Sequence, residues 1–280
     1  MICLENVRAG YGSRTVFAVS GLSLPADGTA GNSDSGSSQD GTAGNSDSGS
    51  SQGRMISILG RNGSGKSTFL RILAGILPYE GSILFDGREL RSIRPQERAR
   101  RVSFLPQRTA IPDMTVSMLA AHGRFPWKKS PRKLTEEDRI LIRDAMERTG
   151  VLPLQKKNLR QISGGECRLA YLAMVLAQNT RTILLDEPAA FLDPDHQIRL
   201  YGILQDLARE GYLIILSSHD IPGSMTFGDT VCVLERGRVA LSGSPRDICV
   251  QKELLRRALG VTVTSSLQEN TLYKYALERP

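Results

Sequence analysis

Apolar positions along the chain follow two alternating rhythms. Short continuous runs, RMISILG (54–60), RVSFLPQ (101–107), RTILLDEP (181–188), YLIILSSHD (212–220) and TVCVLERGRV (230–239), have the length and bounding residues of strands. GSILFDGREL (81–90) and, upstream, RTVFAVSGLSL (14–24) read as strands as well. Between them lie helical faces: Phe69, Leu70, Ile72 and Leu73 within GKSTFLRILAG, then ECRLAYLAMVLAQ (166–178) and HQIRLYGILQDLARE. Strands alternating with helices predict an α/β fold around a largely parallel sheet. The helix-rich stretch from about 108 to 178 interrupts that alternation and reads as a helical subdomain.

Composition narrows the class. The chain has 280 residues, 40% hydrophobic and 23% charged, ordinary values for a globular protein. No apolar run approaches the roughly 18 residues that cross a bilayer. The start, MICLENVRAGYG, has no basic segment followed by an apolar core, so a secretory signal is not expected. Cys3, Cys167, Cys232 and Cys249 are scattered without metal-type spacing, which predicts reduced thiols. The net charge is +7. Residues 27–52 hold four Asp and no basic residue, so the remainder carries +11. Much of it lies in GRELRSIRPQERARR (87–101) and RFPWKKSPRK (124–133). Solvated faces, an anionic lipid surface or a nucleic acid would each use such charge; a single Trp and no stacking series weigh against nucleic acid.

The chemistry concentrates in two motifs. Gly60, Arg61, Asn62, Gly63, Ser64, Gly65, Lys66 and Ser67, with Thr68 next, form a phosphate-binding loop between a strand and a helix. Its glycines let backbone N–H groups turn toward phosphate oxygens, and the helix N-terminus adds a favourable field. Lys66 can reach β- and γ-phosphates and the Ser67 hydroxyl can ligate Mg²⁺. ILLDEP then delivers Asp186 to a strand end, where it can hold Mg²⁺, and Glu187 beside it can polarise an attacking water.

With these motifs the chain resembles the ATP-binding-cassette (ABC) ATPases, whose landmarks recur in order to about residue 245. By that resemblance Tyr11 stacks on adenine. Gln107, in FLPQ, joins the metal site, with Ser67 and Asp186, to the helical subdomain. ISGGE, with Ser163, Gly164, Gly165 and Glu166, is the signature that closes over ATP held by a second copy. Asp193, in FLD, follows the catalytic strand, and His219, in SSHD, contacts the γ-phosphate. Taken alone, SGGE is more often a capping box, and Tyr11 or His219 a routine structural residue. The implied architecture is a P-loop domain with a RecA-like parallel core sheet, an N-terminal antiparallel β subdomain and a helical subdomain, spanning 1–250 with a 251–280 extension.

RSIRPQERARRVSFLPQ and GRFPW are similar to segments of the ATPases that energise importers of iron–siderophores, haem or cobalamin. That likeness implies ATP and Mg²⁺ as cofactors, a homodimer, a membrane permease docked near Gln107, indirectly a substrate-binding protein, no nucleic acid, and a peripheral place on the cytoplasmic face of the inner membrane. The alternatives are a soluble ABC ATPase acting on nucleic acid or ribosomes, and a nucleotide-dependent regulatory module; the complete Asp186–Glu187–His219 set argues against the latter. Departures from the family pattern include Glu166 where glutamine is commonest, and Cys167 and Met174 where polar residues are frequent. Pro222 suits a first helical turn capped by Asp220, and Gly223 weakens that helix.

The unit DGTAGNSDSGSSQ occurs twice without change, from Asp27 to Gln52. It carries no apolar residue larger than alanine, so it is expected to be disordered. Family hairpin geometry places it in a turn between GLSLPA and GRMISILG. Extending a turn from ~4 to ~30 residues costs roughly 2 kcal/mol in closure entropy, which a large domain tolerates. A calcium repeat lacks its apolar position here, and 26 residues upstream are too few for a domain that a linker would join.

Overall fold

The computed structural model describes residues 1–12, 14–24, 53–128, 134–261 and, as backbone, 262–265 and 273–276. The chain opens with strands β1 (Ile2–Tyr11) and β2 (Arg14–Leu24), then enters β3 (Arg54–Gly60) and helix α1 (Lys66–Leu73). A hairpin of β4 (Glu80–Phe85) and β5 (Arg88–Glu89), short α2 (Pro95–Ala99) and β6 (Val102–Leu105) follow. Helices α3 (Val116–His122), α4 (Glu136–Arg148) and α5 (Gly164–Ala177) come next. The second half alternates β7 (Thr182–Asp186), α6 (Pro194–Arg209), β8 (Leu213–Ser218), α7 (Ile221–Phe227), β9 (Thr230–Glu235) and β10 (Arg238–Gly243). It ends in α8 (Pro245–Cys249), α9 (Lys252–Leu259) and the pair β11 (Thr262–Ser265) and β12 (Tyr273–Ala276).

Six strands form the central sheet in the order β10-β9-β3-β8-β7-β6, parallel except for β10 at its edge. Every residue of β7 and β8 is buried, as is all of β3 beyond Arg54, so helices or the second sheet cover both faces. That second sheet is antiparallel, in the order β2-β1-β4-β5. Phe17 of β2 and Phe69 of α1, both fully buried with ring centroids 5.0 Å apart, tie it to the phosphate-loop helix. A ring pair of this kind adds about 1 kcal/mol beyond its burial. Mixed α/β with a parallel core and an N-terminal antiparallel sheet is therefore the observed architecture.

Three local expectations change. The hairpin expected between β2 and β3 does not exist: β2 pairs with β1, whereas β3 lies between β8 and β9 in the other sheet. The connection thus joins two sheets, and the expectation of disorder for 27–52 lies outside the described residues. GSILFDGREL and TVCVLERGRV each hold two strands rather than one. The cause is the same in both. Asp86-Gly87 and Arg236-Gly237 all have positive φ, the geometry of a two-residue hairpin turn whose twist matches its strands.

Helices α3, α4 and α5 pack on one another through Leu119, Ala120, Ile142, Met146 and Leu169. The GRFPW segment fastens them to the sheet. Arg124 forms a 2.7 Å buried ion pair with Asp138 of α4 and donates to Ala177 O at the end of α5. Gln178 beyond α5 donates to Ala99 O and Val102 O, while Arg100 donates to Pro126 O. Trp127 donates to Gln178 O and lies under both Arg100 and Arg124. α7 begins as expected, with Asp220 accepting from Gly223 N and Pro222 in its first turn.

Candidate nucleotide-binding site

The loop after β3 turns twice through left-handed glycines, Gly63 (φ 78°) and Gly65 (φ 101°), before Lys66 starts α1. Lys66 lies folded over the loop, its Nζ donating to Gly60 O at 2.8 Å. Burial pushes this ammonium below its ordinary pKa, and the charges of Glu187 and Asp186 work in the opposite direction. The side chain is thus a largely desolvated cation held on the loop's own carbonyls, suited to a polyanion. Ser64 is buried in the loop; Arg61, Asn62 and Gly63 face outward, and Thr68 packs inward from α1. Tyr11 is half exposed at the end of β1, and its hydroxyl accepts from Arg71 of α1 at 2.9 Å.

Asp186 ends β7 completely buried. Its Oδ1 accepts from Ser67 Oγ at 3.0 Å and from Ser217 Oγ at 2.7 Å. Oδ2 is buried with no hydrogen-bond partner. A buried carboxylate oxygen left unpaired beside a serine hydroxyl is costly unless a cation or its water completes it. The donor set is all oxygen, the chemistry a magnesium ion takes.

Glu187 follows in the left-handed region, φ 48°, an unusual conformation for a residue with a side chain. Its N–H is held by Ser217 Oγ at 2.9 Å. Oε1 lies 2.6 Å from His219 Nε2, and Oε2 accepts from the Gln107 amide. The same His219 nitrogen lies 3.3 Å from Lys66 Nζ. The six expected groups Lys66, Ser67, Gln107, Asp186, Glu187 and His219 therefore form one connected network at the carboxyl ends of β3, β7 and β8.

The remaining groups form a second locus. Ser163 caps α5: its Oγ accepts from Glu166 N, and Glu166 Oε2 accepts from Ser163 N at 2.8 Å. Those hydrogen bonds hold the Glu166 carboxyl below its ordinary pKa. Gly164 and Gly165 are the first residues of the helix. Asp193 caps α6, accepting from His196 N and lying 2.8 Å from His196 Nδ1. Gln197 donates to Leu192 O and Ala189 O, so the loop that presents Phe191, 98% exposed, is tied down at both sides.

Ser217, Arg168, His196 and Gln197 went unread in the sequence. Arg168 and Ser217 each had a signal, a polar residue inside an otherwise apolar helix or strand. His196 and Gln197 had none, because polar residues are ordinary in the first turn of a helix.

The family described as ABC transporter matches residues 45–190, just over half the chain. The chain belongs to the ABC transporter family. It is 37% identical over 212 residues to the ferric enterobactin transport ATP-binding protein of Escherichia coli K12, covering 75% of this chain and 78% of the relative. It is 40% identical over 206 residues to a hemin import ATP-binding protein of Nocardia farcinica, 73% and 71% covered. Among solved structures it resembles a metal-chelate type ABC transporter in an inward-facing conformation, with a TM-score of 0.75 at 21% identity, covering 98% and 97% of the two chains. The dimeric cassette MJ0796 bound to ADP and phosphate gives 0.68 at 22% identity, 88% and 99% covered. At such identities these two likenesses speak for the fold alone. This ABC protein is an ATPase that binds ATP, and among its described residues no helix is long and apolar enough to cross a membrane.

Proposed function

We propose that this ABC ATPase powers a bacterial importer of iron–siderophore, haem or cobalamin, working as a homodimer on a membrane permease. The observation that carries the hydrolytic part is the single network through Lys66, Ser67, Asp186, Glu187, Gln107 and His219. In this reading Gly60–Thr68 and Lys66 hold the phosphates, Tyr11 the adenine, and Ser67, Asp186 and Gln107 the magnesium. When bound, the ion would neutralise phosphate charge as the terminal phosphoryl group leaves. Glu187 orients the attacking water and His219 meets the γ-phosphate. Ser163, Gly164, Gly165 and Glu166 cap an exposed helix end whose hydrogen bonds, among the described residues, stay within the cap, and Asp193 starts α6. They suit a partner copy's nucleotide better than this chain's own.

Import is supported by the names of the relatives. Docking is supported by a groove between α3 and α4, where Met118 (55% exposed) and Ile140 (61%) stand beside Ala121 and Leu134, with Glu136, Arg139 and Arg143 also lining it. A permease's cytoplasmic helix fits such a groove as an amphipathic ligand. A substrate-capture protein would act on the far side of that permease, leaving this chain peripheral at the cytoplasmic face of the membrane. The chain divides in this reading into a cassette over 1–250, holding the 27–52 insertion and a 108–178 helical subdomain, and an extension over 251–280. The nucleic-acid alternative loses support because much of the basic segment 87–101 is engaged internally. Arg88 and Arg101 pair with Glu97, Arg91 with Glu89, and Arg98 and Arg100 cap backbone carbonyls. Affinity purification from membranes in mild detergent tests the proposal. A polytopic permease as stoichiometric partner is expected; ribosomal or other soluble partners alone would reject it.

A further inference from the structure

Arg168 is a buried cation that forms no ion pair among the described residues. It lies five residues beyond the Ser163 cap, on the helix that carries the signature, and is 9% exposed. A guanidinium has five N–H donors in a planar fork. Here the fork meets five carbonyl oxygens from two separate loops. Nη1 donates to Pro106 O at 3.0 Å and Gln107 O at 3.4 Å. Nη2 donates to Asp186 O at 3.0 Å and Glu187 O at 3.2 Å, and Nε to Pro188 O at 3.2 Å.

Those two loops hold Gln107 and Glu187, whose side chains are hydrogen-bonded to each other. Glu187 needs the support. A left-handed conformation strains a residue with a side chain and persists only where its surroundings over-determine it. The Ser217 hydroxyl fixes its N–H, and Arg168 fixes its carbonyl. Removing the guanidinium leaves the peptide on the carbonyl side of Glu187 free to rotate toward the commoner backbone region, which re-aims the carboxylate. It also unties the glutamine loop from the helix that bears Ser163–Glu166.

We infer that Arg168 is a positioning residue for hydrolysis: it clamps the Pro106–Gln107 and Asp186–Pro188 backbones to the signature helix and thereby aims Glu187 and Gln107. The inference rests on Glu187 orienting the water. No neutral or single-headed cation reproduces the clamp. Methionine fills the volume with no donor, and lysine offers three donors from one point to five acceptors spread over two loops.

A double-mutant cycle on the full-length chain tests it, with ATP turnover, ATP affinity and thermal stability read for Arg168→Met, Arg168→Lys, Glu187→Gln and the two double variants. Arg168→Met is expected to bind ATP within about threefold of the unaltered chain while kcat falls about 30-fold or more, and Arg168→Lys to lie between, about tenfold down. In the Glu187→Gln background either change should lower the residual rate less than about twofold, because the group it aims is already gone. A filler of internal space would instead lower stability, affinity and rate together and by the same factor in both backgrounds. That equal factor, or a folded Arg168 variant with kcat within about twofold, overturns the inference. Should Arg168→Met not fold, Arg168→Lys carries the same cycle. A Glu187→Gln chain with normal turnover would overturn the underlying reading of Glu187 instead.

Discussion

His219 Nε2 lies 2.6 Å from Glu187 Oε1, which makes the histidine after β8 and the glutamate after β7 direct neighbours. An Nε2–H pointed at that carboxylate cannot simultaneously accept from Lys66 Nζ, 3.3 Å away, so the imidazole has two competing partners. Under the proposed function, a terminal phosphate that engages Lys66 would remove one of the two competitors and leave His219 to Glu187.

Glu187→Gln follows from that geometry. The change keeps the volume and removes the charge that can polarise water. ATP affinity should stay within about threefold, and turnover should fall by about 10²–10⁴. The ATP-bound dimer should outlive that of the unaltered chain in size-exclusion runs. Turnover at the normal rate would remove Glu187 from the role.

Ser217→Ala should act on two carboxylate residues of the network at once. The hydroxyl donates to Asp186 Oδ1 at 2.7 Å and accepts from Glu187 N at 2.9 Å. Alanine leaves that N–H unpaired, a cost of about 1–3 kcal/mol. Turnover should drop roughly tenfold, with half-saturation by magnesium shifted upward. Steady-state kinetics across a magnesium series decides it, and unchanged kinetics would make the bridge dispensable.

Gly65→Ala and Gly63→Ala separate strain from collision. Both positions have positive φ, 101° and 78°. A Cβ at Gly65 would stand 3.0 Å from Val16 O, whereas none of the described atoms approaches within 4 Å at Gly63. Gly63→Ala should cost only the conformational term, about 1–2 kcal/mol. Gly65→Ala should displace the loop against β2 and weaken ATP binding by more than about tenfold beyond it, as titration with a fluorescent nucleotide would measure.

Asp138→Asn probes the buried ion pair with Arg124 by pH. Burial alone would raise the Asp138 carboxyl; hydrogen bonds from Arg124 and Thr135 outweigh it and hold the group below its ordinary value. A carboxyl depressed on folding binds protons preferentially in the unfolded chain, so its stabilisation is present above pH ~4 and fades as pH falls through the folded value. Removing one partner of a buried pair costs about 3 kcal/mol or more at pH 7. Urea unfolding at pH 7 and pH 3.5 should show the gap between Asp138→Asn and the unaltered chain narrowing in acid. A gap independent of pH would assign the loss to packing.

Much of this protein is determined by local sequence. The apolar runs of β3, β7 and β8 and the face of α1 specify their elements, because burial on one or two sides imposes a readable period. Gly60–Ser67 specifies its own loop, since glycine adopts with least strain the left-handed turns at Gly63 and Gly65. Tertiary structure decided the rest. Only the fold separates β2 from β3 into different sheets, because the registers that sort strands are set by distant partners and not by the intervening residues. It also decides that Ser217 bridges Asp186 and Glu187 and that Arg168 gathers five carbonyls. Every residue carries a carbonyl, so the sequence holds no mark of which ones will converge on a buried cation.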